Sequence, residues 1–467
     1  MNRINSYKIK KLFGYQNVNL SFENNILILM GENGLGKTSI LNSLYFTLTK
    51  KWKKLQKINF ESIEIKIDNI QFSFTREQLS WYIENQGNKR LNKYKNLKSE
   101  LLNTLDFSEL ISFIEERSQK KIDRHRIIYE YVRKNKTAQN INAPIGLVIE
   151  IIDRITQQPD LSSLENLVDY LDNTPNPINI LYFPTYRRVE EELHNLGRLK
   201  GISPHEIAND FWEEDDEESD DLEEETLIQF GMEDVVQRIK DIISRINDSS
   251  IKGFAKVTGE MLHQLQEGFP KLSKDDILNI NGNNIEIILN RVKNNLSEAD
   301  RNNILELLRT QELQKKQELA YFLIKLEDIY LQQQSLDNSI KKFEKVCNEY
   351  LVGKMFYFDE SSVTLVIQNN ITGEKVELNQ LSSGEKQIVS LFSKLYLEDK
   401  SNLLVFFDEP ELSLSIKWQK QLLPHILETE KCDFLLAVTH SPFIFNNSLE
   451  NFAVGMNLFV EQSEVNH

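Results

Sequence analysis

The sequence is poor in the residues that build disulfide frameworks and membrane spans. It has only two cysteines among 467 residues, Cys347 and Cys432, in neither a paired nor a metal-type spacing, so a reducing compartment is expected. No apolar run approaches the roughly 20 residues that cross a bilayer, and the N-terminal stretch MNRINSYKIKKLFGYQ lacks the continuous apolar core of a secretory signal. We therefore expect a soluble, cytoplasmic protein, long enough for two or three domains.

Positive charge is outnumbered by negative charge overall, with 55 Lys and Arg against 71 Asp and Glu, but it is concentrated near the N-terminus. The net charge is −16, and residues 213–225, EEDDEESDDLEEE, hold eleven of the acids; we interpret this run as a solvated loop without fixed structure. Residues 1–150 hold 25 Lys and Arg against 15 Asp and Glu, many of them in KKWKKLQK (50–57), NKRLNKYKNLK (88–98) and RSQKKIDRHR (117–126). These clusters are either ordinary solvated helix faces or a surface that holds a polyanion.

Helix breakers are almost absent from residues 302–350. Apolar residues recur there at helix-face spacing: Leu305, Leu308, Phe322, Leu326, Ile329, Leu336, Ile340 and Phe343. A continuous helix would measure about 70 Å. An antiparallel helical arm and a compact bundle both fit the pattern.

The two ends of the chain carry strand patterns. NNILILMGENG, NLLVFFDEP and CDFLLAVTHSP contain buried-strand runs with helical segments between them, which predicts an α/β fold with a mostly parallel, doubly wound sheet. IEIKIDNIQFSFT alternates on both sides of Asp68-Asn69 and predicts an antiparallel hairpin. The expected organisation is a head part at 1–77, a helical insertion at 78–175, a head strand and turn at 176–193, an acidic loop and helical arm at 194–350, and a second head part at 351–467.

The segment GENGLGKT (31–38) has the G-x-x-x-x-G-K-[ST] pattern of a P-loop, preceded by a strand pattern and followed by a helical one. Its glycines let backbone N–H groups wrap phosphates, and the helix N-terminus adds its dipole. Lys37 is expected to reach the β- and γ-phosphates, and the Thr38 hydroxyl to bind Mg²⁺. The predicted binding residues are Gly31, Glu32, Asn33, Gly34, Leu35, Gly36, Lys37, Thr38 and Ser39.

A second part of the site is expected at LLVFFDEP (403–410), where Asp408 emerges at the C-terminal edge of an apolar strand. Asp408 is predicted to hold Mg²⁺, usually through water, and Glu409 to polarise the attacking water. His440 ends the next apolar strand, FLLAVTHSP (434–442), and would contact the γ-phosphate or the water. We predict Glu409, His440 and Lys37 as the catalytic residues.

The stretch NQLSSGEKQ (379–387) places Ser-Ser-Gly before a helical run, although no obvious catalytic group lies near it in sequence. A P-loop, this LSSGE, an Asp-Glu pair and a terminal His, in that order, resemble the ABC-type ATPases, and more narrowly the branch with SMC, RecF and OLD-like ATPases. The resemblance covers residues 1–75 and 360–450. It implies an ABC-type ATPase head that uses ATP and Mg²⁺, with an antiparallel β subdomain and a large inserted helical bundle or coiled coil.

In that family the signature of one subunit caps the ATP on the P-loop of another, which implies at least a dimer of heads. The signature residues here would be Ser382, Ser383, Gly384 and Glu385, with Glu385 where the family often has Gln. The segment ELSLS (411–415) looks like the D-loop that touches the opposing subunit. The family's Q-loop glutamine is not obvious. We expect YFPTYRR (182–188), which follows a strand pattern, to take its place, with Arg187 or Arg188 as the substitute γ-phosphate sensor.

Within this branch the helical middle is too short for an SMC protein, and we expect no TOPRIM nuclease domain of the kind that OLD-family nucleases carry. The chain looks most like the AriA-type ATPase subunits of the PARIS anti-phage defence systems, with the ATPases of Septu and of Septu-associated retrons as close rivals. This resemblance implies ATP-driven oligomers that hold a separately encoded TOPRIM-type or other nuclease effector. An acidic, DNA-mimicking phage protein or DNA itself would trigger release of the effector.

Two other functions stay open at this point. A DNA-repair ATPase resembling RecF would act directly on DNA and bind it in an ATP-dependent manner with a steep salt dependence. A structural oligomer would bind ATP only to hold its subunits together. A Glu409→Gln variant of it would behave like the wild type.

Overall fold

The computed structural model of the protein describes residues 4–22, 24–32, 34–86, 101, 105–118, 124–134, 143–157, 159–174, 178–184, 232–291 and 296–462. The chain divides into two compact units, residues 1–178 with 454–467, and residues 179–453. No helix in the described ranges has the length and apolarity that a membrane crossing requires.

The strands of the described residues are β1 (Ile4–Leu12), β2 (Gln16–Ser21), β3 (Ile26–Met30), β4 (Ser62–Ile67), β5 (Ile70–Thr75), β6 (Asn179–Phe183), β7 (Lys354–Asp359), β8 (Thr364–Asn369), β9 (Lys375–Val376), β10 (Leu403–Asp408), β11 (Cys432–Thr439), β12 (Ala453–Gly455) and β13 (Val460–Gln462). The α-helices are α1 (Lys37–Leu48), α2 (Trp52–Lys57), α3 (Arg76–Gln86), α4 (Phe107–Ser118), α5 (Arg124–Lys134), α6 (Ile145–Gln157), α7 (Ser162–Asn173), α8 (Met232–Glu267), α9 (Lys274–Leu278), α10 (Gly282–Arg291), α11 (Glu298–Arg309), α12 (Gln317–Asn348), α13 (Ser383–Leu397) and α14 (Ile416–Leu427).

The first unit is built on an antiparallel sheet of order β13-β2-β1-β4-β5. The β4–β5 turn consists of Asp68 and Asn69, both at positive φ, as a two-residue turn that follows the twist of the strands requires. The predicted hairpin is therefore confirmed. Alternate residues of the pair, among them Ile65 and Phe74, are buried on one face. Helices α4, α5 and α6 contribute to a separate apolar cluster of this unit.

The second unit holds a parallel arrangement in which β10 lies between β6 and β11. All six residues of β10 are buried, because a central parallel strand is covered on both faces. Phe183 of β6 and Phe407 of β10 stack with their ring centroids 4.4 Å apart. A second, antiparallel sheet consists of β7, β8 and β9.

Two long helices of the second unit, α8 and α12, pack antiparallel, since Ser250 bonds Gln333 while Phe254 contacts Phe322. Residues 302–350 do not form one continuous helix, because α11 ends at Arg309 and α12 begins at Gln317. The turn between them places Leu313 in the apolar cluster formed with residues of α8, α9, α10 and α12. A long helix pair and a small bundle are thus both present.

The fold-class prediction is confirmed. Parallel strands alternate with helices, antiparallel sheets lie beside them, and large helical segments interrupt the chain between the strand-rich ends. Helix α13 is buried over most of its length. At its C-terminal end, Arg238 of α8 donates hydrogen bonds to the side chains of Ser393 and Glu398.

Candidate nucleotide site

The P-loop of the first unit connects β3 to α1. Gly34 and Gly36 have φ values of 87° and 84°, a backbone region that side chains with a Cβ rarely occupy. A Cβ on Gly36 would lie 2.7 Å from Cε2 of Phe13. Both the positive φ and this close approach therefore require glycine at position 36. No side chain caps α1, and its first turn has no acidic residue, which suits an anion at this helix N-terminus.

Lys37 begins α1 and is only 5% exposed. Its Nζ donates to the carbonyl oxygens of Gly31 and Glu32, both at 2.8 Å. The ammonium group is therefore held inside the loop whose N–H groups would wrap a phosphate. Thr38 and Ser39 follow in the first turn of α1 and are half-buried. Asn33 lies outside the described residues.

Phe13 was not predicted from the sequence. It lies in the turn between β1 and β2 with φ 56°, and 38% of it is exposed. Its N–H donates to the carbonyl of Asn59 at 2.8 Å, and its ring lies against Gly36 of the P-loop. The only local signal was an aromatic residue beside Gly14, which a hairpin turn explains equally well.

In the second unit, Asp408 ends β10 and is buried, and Glu409 follows with its side chain partly exposed. Glu409 has φ 50°, a left-handed conformation that costs a non-glycine residue on the order of 1 kcal/mol and is concentrated at functional sites. Its N–H donates to the carbonyl of Val438 in β11 at 2.8 Å. The neighbouring strand therefore holds the Glu409 backbone in place.

His440 follows β11 and faces Glu409. Its Nε2 lies 3.5 Å from Oε1 of Glu409, and both side chains are about one quarter to one third exposed. This distance is slightly longer than an ordinary N–H···O bond and leaves no room for a water molecule between the two atoms, so the two groups contact each other directly. A carboxylate and an imidazole that face one point can together orient a water molecule.

Glu411 connects these two strand ends, a role that the sequence did not indicate. Its carboxylate accepts hydrogen bonds from the Thr439 hydroxyl at 2.8 Å and from the backbone N–H groups of His440 and Ser441 at 2.7 and 3.2 Å. Gln419 adds a second link, because its amide oxygen accepts from the Ser441 hydroxyl at 2.7 Å. The predicted D-loop segment 411–415 is thus bonded within its own subunit.

The signature segment forms the start of α13. Ser382 is the N-cap, and its side chain and the Glu385 side chain bond each other's backbone N–H groups in a capping box. The Glu385 carboxylate also accepts from Lys354 Nζ at 2.6 Å. Gly384 is closely packed, because a Cβ there would lie 2.5 Å from the carbonyl oxygen of Ser413. The Glu385 carboxylate therefore holds the turn together, while Ser382 and Ser383 are the less buried members of the segment.

The structure brings Glu409, Asp408 and His440 to neighbouring strand ends of the second unit, while Lys37 and Thr38 lie in the first unit. Arg187 and Arg188 fall outside the described residues, as does the acidic run 213–225. Among the described residues, no group of three or more His, Cys, Asp and Glu side chains could hold a metal ion. Magnesium bound with a nucleotide needs only one or two protein oxygens, so a magnesium site of that kind does not require such a group.

Several solved structures are similar to the chain at low sequence identity. One is the SMC head domain with an extended coiled coil bound to the C-terminal domain of ScpA, from Pyrococcus furiosus: 13% identity, coverage of 99% of this chain and 96% of that one, and a TM-score of 0.34. Another is the SMC head domain with a coiled coil and joint from Pyrococcus yayanosii, with 14% identity, 95% and 93% coverage, and a TM-score of 0.32. At these TM-scores the similarities support no functional conclusion. No curated protein matches the sequence significantly.

A family model matches residues 26–446 and carries the description "AAA domain, putative AbiEii toxin, Type IV TA system". The matched region contains the P-loop, the LSSGE segment, the Asp408-Glu409 pair and His440. Since it spans most of the 467 residues, the chain belongs to this AAA-domain family.

Proposed function

We propose that this protein binds and hydrolyses ATP, with Glu409 as the residue that polarises the attacking water. The observation that carries the proposal is the Glu409–His440 pair. Glu409 keeps a strained backbone at the end of a buried strand, and its carboxylate faces the His440 ring at 3.5 Å. Backbone strain of this kind is concentrated at functional sites, which supports a role for Glu409 in positioning a water molecule.

Each P-loop residue has a distinct part in this proposal. Lys37 would exchange its two carbonyl partners for β- and γ-phosphate oxygens, and the uncapped N-terminus of α1 would bind phosphate through its N–H groups. Phe13 offers an aromatic face beside the loop against which the base would stack. Thr38 and Asp408 would hold Mg²⁺, which neutralises charge on the phosphates when bound.

We further propose that heads associate through composite ATP sites. Ser382 and Ser383 present hydroxyl groups at the N-terminus of the 15-residue helix α13, where a dipole favours the phosphate of a nucleotide bound to a second copy. ATP binding would then join two copies, and hydrolysis would release them, because the ligand stabilises only the associated state.

The biological task that we propose is anti-phage defence. The chain would be the ATPase subunit of a bacterial complex, most similar to the AriA-type subunits of PARIS systems, and would hold a separately encoded nuclease until a phage trigger is sensed. The description of the matched family names a toxin of a toxin–antitoxin system, which supports a task that involves a partner protein. The trigger would be an acidic DNA mimic or DNA.

A tagged purification with the native neighbouring genes, in ATP and Mg²⁺, tests this task. We expect a nuclease-sized protein to co-elute in stoichiometric amounts with the wild type and with the Glu409→Gln variant. A nuclease effector that is fully active without this chain, and unaffected by its addition, would contradict the proposal.

A second candidate function, a RecF-like ATPase that acts on DNA, is favoured by one surface of the first unit. A groove of about 690 Å³ between α2 and α3 is lined by Lys53, Gln56, Lys57, Arg76, Glu77, Ser80 and Ile83. Lys53 and Lys57 are exposed and could meet phosphates of a nucleic-acid backbone. ATP-dependent DNA binding whose salt dependence weakens in a Lys53→Glu, Lys57→Glu variant, with no co-eluting protein, would favour this function.

A further inference from the structure

We propose that Glu411 is a positioning residue that fixes His440 for ATP hydrolysis. The inference rests on the proposed function, because His440 matters for turnover only if the chain hydrolyses ATP. It adds a residue to which neither the sequence nor the family match assigns this role. Glu411 would act entirely through the backbone that carries His440, without touching the nucleotide.

The geometry around the carboxylate is specific. Oε1 of Glu411 accepts from two successive backbone N–H groups, those of His440 and Ser441, at 2.7 and 3.2 Å. Oε2 accepts from the hydroxyl of Thr439 at 2.8 Å. Hydrogen bonds to an ionised carboxylate are roughly twice as strong as neutral ones. Three consecutive residues, 439–441, are thus held by one side chain.

The segment that carries Glu411 is itself anchored. Nε2 of Gln419, in α14, donates to the carbonyl oxygens of Leu414 at 2.9 Å and of Glu411 at 3.3 Å. The same side chain accepts from the Ser441 hydroxyl through its oxygen at 2.7 Å. The side chains of Glu411 and Gln419 therefore link the 411–414 turn to the 439–441 turn. The Glu411 backbone is held by Gln419, and its carboxylate holds the backbone of His440.

The consequence for the reaction follows from the position of Glu409. Its N–H donates to the carbonyl of Val438, two residues before His440. The end of β11 therefore holds the backbone of Glu409 and leads directly into that of His440. Loss of the Glu411 carboxylate would leave the Glu409 N–H bonded to Val438 and would release residues 439–441, which include His440. A displacement of about 1 Å at a catalytic group can cost on the order of 100-fold in rate.

The first test is steady-state ATP hydrolysis by the full chain. Glu411→Ala is expected to lower kcat by about 10- to 100-fold, while the Kd for ATP changes by less than about threefold. Glu411→Gln keeps an oxygen that can accept from the two N–H groups, so it should recover part of the rate. Glu450→Ala, which removes an exposed acid of the same unit, serves as the matched control and should leave both constants unchanged.

A double-mutant cycle separates positioning from a general structural role. If Glu411 acts through His440, the Glu411→Ala, His440→Ala double variant should be no more than about threefold slower than His440→Ala alone. Multiplicative losses in the double variant would overturn the proposal, because they would mean that the two residues act independently. A loss of ATP affinity that matches the loss of kcat would overturn it as well.

A readout without nucleotide distinguishes failure of this inference from failure of the proposed function. The imidazole signal of His440, assigned in the NMR spectrum by its absence in His440→Ala, should shift or broaden in Glu411→Ala and move less in Glu411→Gln. An unchanged signal in both variants would overturn the inference even if ATP is hydrolysed. If the wild type hydrolyses no ATP, the proposed function fails, and the NMR comparison still decides whether Glu411 holds His440. Should Glu411→Ala not fold, the His440 signal in Glu411→Gln decides the question: a shift supports the inference, and an unchanged signal overturns it.

Discussion

Nζ of Lys354 lies 2.6 Å from Oε2 of Glu385 and so joins the first residue of β7 to the first turn of α13. Glu385 is 5% exposed, and burial alone would raise its pKa. The hydrogen bonds from Lys354 and Ser382 outweigh burial, so the pKa of Glu385 lies below its usual value of 4.5. The ionised carboxylate of Glu385 therefore stabilises the signature turn, and its charge is stabilised in turn by Lys354, 31 residues earlier in the chain.

Replacement of Lys354 should weaken the protein through this contact. Lys354→Met leaves a buried carboxylate without its cation, and we expect the free energy of unfolding to fall by about 2–4 kcal/mol. Because the folded pKa is lowered, the contribution of Glu385 is present above pH 4.5 and is lost as pH falls through the folded pKa. The difference between wild type and variant should thus shrink in acid. Chemical denaturation at several pH values measures it.

The control for this prediction is Lys375→Met, which removes the exposed ion pair with Glu377. Exposed pairs contribute about 0–1 kcal/mol, so this variant should unfold almost like the wild type. Equal losses in the two variants, or a Lys354→Met loss that does not change with pH, would contradict the proposed role of Lys354 in the signature turn.

Lys37 should be needed for nucleotide binding and not for folding. Lys37→Ala removes two hydrogen bonds to carbonyl groups of its own loop, which costs on the order of 1–2 kcal/mol of stability. The same change removes the cation that meets the phosphates, and we expect at least a 100-fold weaker Kd for a fluorescent ATP analogue. The exposed Lys53→Ala variant is the control and should bind as the wild type does. Wild-type affinity in Lys37→Ala would mean that the P-loop is not the nucleotide site.

Arg291 and Asp337 form a buried ion pair inside the helical part of the second unit. Their side chains are almost fully buried, and the Arg291 Nη2 atom lies 2.8 and 2.7 Å from the two carboxylate oxygens. Burial raises the pKa of Asp337 despite the neighbouring Arg291. Arg291→Met should therefore cost about 3–5 kcal/mol of stability, and Arg291→Met with Asp337→Leu should recover much of that loss.

The exposed pair of Arg245 and Asp399 provides the comparison for this ion pair. Arg245→Met should cost less than about 1 kcal/mol. A double variant that is less stable than Arg291→Met alone would contradict the assignment of the loss to an unpaired buried charge. Thermal and denaturant unfolding give the required free energies.

Lys394 should make stability rise with pH. Burial lowers its pKa from 10.5 to about 8, so between these values the unfolded chain binds more protons than the folded one, and the free energy of unfolding increases with pH. Charged Lys394 costs about 3 kcal/mol below pH 8 on this basis. Lys394→Met should exceed the wild type in stability at pH 7 and lose that advantage towards pH 10.5. The exposed Lys417→Met variant should show no such trend; the explanation fails if Lys394→Met is destabilised at pH 7.

Local sequence patterns were sufficient to predict the elements whose backbone conformation depends on neighbouring residues in the chain. The glycines of the P-loop, the Asp68-Asn69 turn and the apolar run of β10 each specify their own backbone, and all are present in the structure. The catalytic candidates Glu409 and His440 were found because parallel strands end at one edge of a sheet.

The features that could not be predicted from the sequence depend on contacts between residues far apart in the chain. The break between α11 and α12 has no Gly or Pro and depends on burial of Leu313 against α9, α10 and α12. Pro424 lies inside α14, where it leaves the Lys420 carbonyl without its helical donor, and the side chain of Asn447 supplies one instead at 2.7 Å. The role of Glu411 likewise depends on residues 28 to 30 positions later in the chain.

The most direct test of the central claim is the rate of phosphate release from ATP and Mg²⁺ by the purified full chain. We predict measurable turnover for the wild type, a loss of about 100-fold or more in Glu409→Gln with ATP affinity retained, and no change in a Glu450→Gln control. Turnover in Glu409→Gln equal to that of the wild type, or no turnover by the wild type, would contradict the claim that this protein is an ATPase with Glu409 at its centre.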